Sequence, residues 1–98
     1  LLKILNVENT PISDLTPIES LKNIKILNIG GTSVRSLKPL AGFELLEDLS
    51  IVNTFVKSVV TLESLPSLKH LKAYKTKIKS KNIELLKIKH PDLNVIYY

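Results

Sequence analysis

The sequence predicts a solenoid of the α/β class, in which short parallel strands alternate with brief return segments. The first observation behind this is self-similarity: Thr10, Thr32, Thr54 and Thr76 stand 22 residues apart, as do Leu5, Leu27, Leu49 and Leu71, and Val7, Ile29, Ile51 and Ala73. Leu2/Ile24/Leu46/Leu68, Ile12/Val34/Val56/Ile78, Leu15/Leu37/Val59 and Ile18/Leu40/Leu62 keep the same step. A fixed period of about 20–50 residues marks stacked units that bury their apolar faces against one another. The second observation is length: 98 residues, 44% hydrophobic and 23% charged, hold one core and not two.

The elements follow in order from the period. Leu5 and Val7 alternate with Ile4, Asn6 and Glu8, which reads as a strand, and the alternation recurs at Leu27/Ile29, Leu49/Ile51 and Leu71/Ala73. Strands joined by a return segment pair in parallel, since a tight hairpin cannot connect them. The returns carry helix-start chemistry. Thr16-Pro17-Ile18-Glu19 has capping-box spacing with Pro at the first helical position, and Lys38-Pro39-Leu40 repeats the Pro. Each return has room for about one turn, so 3₁₀ turns or single α-turns are expected. From Ser80 to His90 the pattern lengthens: Ser80 is a candidate N-cap, Ile83 and Leu86 lie on one face, and Pro91 follows, which predicts a full α-helix. Leu93-Asn94-Val95-Ile96 is then a fifth strand in a modified final repeat.

Written out, each unit is L-x-x-L-x-(V/I)-x-x-T-x-(I/V)-x-x-(L/V)-x-x-(I/L)-x-x-(L/F)-x-x, which resembles the leucine-rich repeat in its 22-residue internalin-like and phosphatase-regulatory form, closely over residues 1–79. The resemblance implies a right-handed solenoid, a horseshoe segment with the parallel sheet on its concave face, 3₁₀/α turns on its convex face and a longer helix in the last repeat. Residues 1–98 then form a single leucine-rich-repeat domain, with repeats at about 2–23, 24–45, 46–67 and 68–92 and a closing strand at 93–96. One column departs from the family pattern, with Thr where Asn is usual. An inward Asn bonds neighbouring turns, whereas a Thr hydroxyl has a single donor. Each Thr is therefore expected to point inward and bond the backbone of its own or the next turn.

Composition excludes several chemistries. With no Cys there is no disulfide framework, thiolate nucleophile or Cys-ligated metal site. No apolar run approaches the ~18–20 residues of a membrane span, no signal-peptide pattern opens the chain, and no Asn-x-Ser/Thr acceptor occurs. Localisation stays open. The absence of Met leads to the expectation that the chain is the C-terminal part of a longer protein. The net charge of +5 is uneven: residues 1–68 hold six basic and seven acidic residues, net −1, whereas residues 69–98 hold eight Lys against Glu84 and Asp92, net +6. Thirteen of the fourteen basic residues are Lys, a point charge without the planar fork that reads phosphate or guanine, which argues against nucleic acid as partner.

Strand residues flanking the core positions face the concave surface. The period aligns them as Ile4/Ile26/Asp48/His70, Asn6/Asn28/Ser50/Lys72/Asn94 and Glu8/Gly30/Val52/Tyr74/Ile96. Asp48, Val52, His70, Lys72 and Tyr74 form the cluster best suited to contact a protein partner, since aromatic residues enrich at interface centres. Asp48 and His70 are expected to form an exposed cross-strand ion pair. With Ser50 nearby they invite a hydrolase reading, but a sheet face supplies neither a buried orienting acid nor oxyanion donors. His70 and His90 lie on different elements without a carboxylate partner, so no metal site is implied. Gly30-Gly31-Thr32 lacks the Gly-Lys-Ser/Thr ending of a phosphate loop and reads as a turn. No cofactor is implied.

By resemblance, the chain is a non-catalytic protein–protein interaction module that binds a partner protein through its concave face. Two alternatives stand beside this. The repeats can serve as target recognition for an upstream catalytic domain, or Lys75, Lys77, Lys79 and Lys81 can engage an anionic surface or nucleic acid, against the plainer reading of a solubilising face. Residues 1–5 form an apolar first strand with an uncovered edge, where self-association is expected unless further repeats precede it.

Overall fold

In the computed structural model, which describes residues 1–97, the chain lays down five strands of three residues each: β1 (Ile4–Asn6), β2 (Ile26–Asn28), β3 (Asp48–Ser50), β4 (His70–Lys72) and β5 (Asn94–Ile96). Tyr98 lies outside the described residues. Adjacent strands pair in parallel in the order β1-β2-β3-β4-β5, with Leu5, Leu27, Leu49, Leu71 and Val95 opposite one another. The returns are 3₁₀ turns at Thr16–Ile18, Lys38–Leu40 and Val60–Ser64, and the last is an α-helix, α1 (Ser80–Lys89). This is the solenoid of short parallel strands and brief returns that the period predicts.

Strands this short hold no structure alone, and backbone bonds between turns extend the pairing beyond them. Ile29 N–H donates to Ser50 O at 3.0 Å, Gly31 N–H to Val52 O at 2.8 Å, and Asn53 N–H to Tyr74 O at 3.2 Å. On the far side of the bend, Phe55 N–H donates to Val34 O at 3.1 Å and Lys77 N–H to Val56 O at 3.0 Å. The repeated apolar columns stack between these bonds. Ile24, Ile29, Val34, Leu40, Phe43, Leu46, Ile51, Val56, Leu62, Leu71, Ala73 and Leu86 are each 0% exposed. In the first turn Leu5, Val7, Ile12 and Ile18 are half-buried and pack against this core.

The bend after each strand explains the Thr column. The residue before each Thr adopts left-handed backbone, with φ of 61° at Asn9, 69° at Gly31, 57° at Asn53 and 55° at Lys75. This kink turns the Thr inward, where its hydroxyl donates to the carbonyl three residues back: Thr10 to Val7, Thr32 to Ile29, Thr54 to Ile51 and Thr76 to Ala73, at 2.7–2.9 Å. Each hydroxyl thus closes its own turn, and bridging between turns falls to the backbone. At Gly31 a side chain would also run into the Asn9 carboxamide, so Gly serves the position twice over.

Two local expectations are corrected. The capping box at Thr16-Pro17-Ile18-Glu19 does not form, because Thr16 lies inside the turn and its hydroxyl and N–H both donate to Asp14 Oδ1, at 2.7 and 2.9 Å. These bonds, the backbone one foremost, hold the Asp14 carboxyl below its ordinary pKa. Ser36 and Ser58, in the same column, accept from the N–H of Lys38 and Val60 in the next two returns. At α1 the N-cap is Lys79 and Ser80 is already helical.

The fifth strand is also displaced from the expected rows. Asn94 lies opposite His70 and Ile96 opposite Lys72, a step of 24 (94 minus 70) in place of 22. The ten-residue α1 advances only about 1.5 Å per residue, so the last return consumes extra chain before β5 reaches the sheet. His90 Nε2 donates to Leu65 O at 2.9 Å and Tyr97 OH to Ile78 O at 2.8 Å, which fasten this longer return to the turns before it.

Three outcomes are expected. Thr54 is 4% exposed, and Thr54→Val keeps its shape while stranding the Ile51 carbonyl, so unfolding in denaturant should show a loss of ~1–3 kcal/mol. Thr10→Val should lose less, because Val7 O also accepts the Thr10 N–H. Lys75→Asn should raise stability by about 0.5–1 kcal/mol, since a left-handed backbone costs Lys more than Asn. An unchanged or lowered midpoint would contradict the strain at that column.

Candidate functional site

In each strand the central residue is turned into the core, so its two neighbours stand on the opposite, concave side. The pairing aligns them as Ile4–Ile26–Asp48–His70–Asn94 and Asn6–Asn28–Ser50–Lys72–Ile96. Side chains of β2 to β5 line a concavity of about 410 Å³ on this face. Its chemistry grades along the solenoid. Ile26 is 40% exposed and Ile4, one strand further out, 60%, giving an apolar end, while His70 and Lys72 are exposed on β4 and Asp48 and Ser50 are half-buried between them. Asn6 and Asn28 use their Oδ1 atoms to accept the N–H two residues on, at 2.9 Å in both cases, which fixes their side chains against their own backbone.

Of the five predicted partner-binding residues, Asp48, His70 and Lys72 come together in this concavity. Val52 and Tyr74 lie beyond the strand ends, half-buried, and do not line it. Asp48 and His70 are register partners, yet they form no ion pair, and the expectation of one is corrected. A parallel in-register row sets side chains abreast, pointing the same way, and His70 Nδ1 instead faces the Asn94 amide at 3.5 Å. Ser50 lies opposite Lys72, not His70. Ile26, Asn28 and Ile96 line the site without having been singled out. Ile26 was visible in its row, whereas Ile96 was misplaced by the longer final return.

Lys75, Lys77, Lys79 and Lys81 are exposed, at and after the bend that follows β4. The ion pairs among the described residues are Lys69–Glu47 at 3.7 Å and Lys89–Glu63 at 3.4 Å, and they use none of these four. Among the described residues no cluster of His, Asp or Glu could hold a metal ion, and no helix is long and apolar enough to cross a membrane.

No protein-family model and no curated protein matches the sequence. Among solved structures the chain is similar to internalin C2 of Listeria monocytogenes, with 29% identity and a TM-score of 0.86 over 99% of this chain and 44% of that one. A second Listeria monocytogenes internalin, InlF, is 24% identical with a TM-score of 0.85, covering 98% of this chain and 28% of that one. An LRR protein of Leptospira interrogans is 23% identical with a TM-score of 0.85, covering 96% of this chain and 25% of that one. The chain thus spans less than half the length of these solved structures. Fold and repeat together define a solenoid of the leucine-rich-repeat class, similar to these internalin and LRR structures. Folds of this internalin-like kind are in general protein-interaction modules, typically non-catalytic.

Proposed function

We propose that the chain is a non-catalytic module that binds a partner protein through its concave face, with Asp48, His70 and Lys72 in the contact and Val52 and Tyr74 at its margin. The observation that carries this is the concavity itself, about 410 Å³ assembled from side chains of four successive strands. It sets apolar Ile26 on β2 and Ile96 on β5 on either side of an anion, a cation and an imidazole, so a partner can be met by apolar and charged groups together. The backbone beneath is held by the inter-turn ladder, so a partner meets these groups already in place and the ordering cost of binding is small.

Peptides selected from a displayed library on the unmodified chain provide the test. The double variant Asp48→Lys, Lys72→Glu should weaken the selected binders about tenfold or more. Glu19→Lys, Glu44→Lys, which changes exposed charges outside the concavity, should leave them within about twofold. The reverse pattern would move the partner site off the concave face.

A further inference from the structure

Arg35, Lys57 and Lys79 share one column of the 22-residue period, just beyond the bend that follows each strand. The bonds from Phe55 N–H to Val34 O and from Lys77 N–H to Val56 O lock these three stretches side by side, so the backbones that carry the three cations lie at roughly the 4.7–4.9 Å strand spacing. Alternation along each stretch buries Val34, Val56 and Ile78 and leaves Arg35, Lys57 and Lys79 exposed, with Phe55 and Lys77 in the adjoining column. No Asp or Glu occurs in residues 31–42, 52–62 or 73–83. Both ion pairs among the described residues involve other lysines. Cations carried on adjoining backbones add to one positive field along the flank, and no carboxylate in these stretches offsets it.

We propose that this flank is a second docking surface, separate from the concave face, for an acidic polypeptide segment in which carboxylates alternate with apolar side chains. Charge complementarity selects an anion, and the residue types select its kind. Lys57, Lys77 and Lys79 are point charges that take carboxylates one at a time and lack the fork that grips phosphate or a base edge. Phe55, 43% exposed among them, gives an apolar side chain something to pack on. The Arg35 guanidinium lies 5.3 Å from the centroid of that ring and covers one face, which works against base stacking there. Charge alone along the sequence shows only the lysines after Leu68, whereas the solenoid adds Arg35 and Lys57 from two earlier turns and makes the surface a row.

Fluorescence anisotropy of the whole chain with a labelled peptide of alternating Glu and Leu, at low salt, tests this. Arg35→Glu, Lys57→Glu, Lys79→Glu should weaken binding about tenfold or more, and the same positions changed to Gln should weaken it less, in the same direction. Lys3→Glu, Lys22→Glu, Lys25→Glu alters the net charge equally and should change binding by about twofold or less, as should Lys72→Glu on the concave face. Equal losses from the two triple reversals would reduce the effect to net charge and overturn the proposal. Tighter binding of oligothymidine or of phosphatidylserine vesicles than of the peptide, lost in the same flank variant, would overturn it in favour of nucleic acid or a membrane surface.

Discussion

The backbone hydrogen bonds that run from one turn to the next are the constraint on which the rest of the structure depends. A three-residue strand has too few bonds to survive alone, but each one here is paired in register with its neighbour, and the pairing continues through the bend into the following segment. Once a turn repeats its predecessor by translation, every sequence column becomes a row in space. One set of rows fills the core, another faces the concavity, and a third forms the flank beyond the bend. The Thr hydroxyls and the left-handed residues before them serve this arrangement by shaping each turn so that the next can repeat it.

Much of this was open to a reader of the residues, because burial in a solenoid recurs at a fixed step and apolar columns announce it. Leu27, Leu49 and Leu71 in the core, and Ile26, Asp48 and His70 on the concave side, follow from the period alone. The errors lie where the step changes or where hydrogen bonding is local. The two-residue displacement of Asn94 and Ile96 depends on how much chain a helix consumes in place of a 3₁₀ turn, which no column records. The Asp14, Ser36 and Ser58 column was present as a repeated oxygen-bearing side chain, but the Pro-containing returns drew the capping role to Thr16. The Asp48–His70 pairing was right in register and wrong in chemistry, since register places Cα atoms opposite without making the side chains converge.

The same geometry separates two surfaces. The concave rows combine apolar and polar groups over a hollow, which suits a protein partner that brings a few anchoring side chains. The flank combines cations of three turns without a carboxylate in the same stretches, which suits long-range steering of an acidic segment. Because the surfaces occupy different columns, substitutions on one leave the other's backbone support unchanged, and a partner that reached both would gain from the second contact by effective concentration.

Amide hydrogen exchange tests the dependence on the inter-turn ladder most directly. The N–H groups of Ile29, Gly31, Ile51 and Asn53, which bond from turn to turn beneath buried columns, should be the slowest in the chain and should share one opening free energy. The N–H groups of Leu40, Ala41 and Leu62, bonded only within their own 3₁₀ turns, should exchange faster, as should those of Val7 and Asn9 in the half-exposed first turn. If the 3₁₀ amides were the slower set, or the first turn matched the interior, stability would reside within individual turns and the ladder would not be what holds the fold.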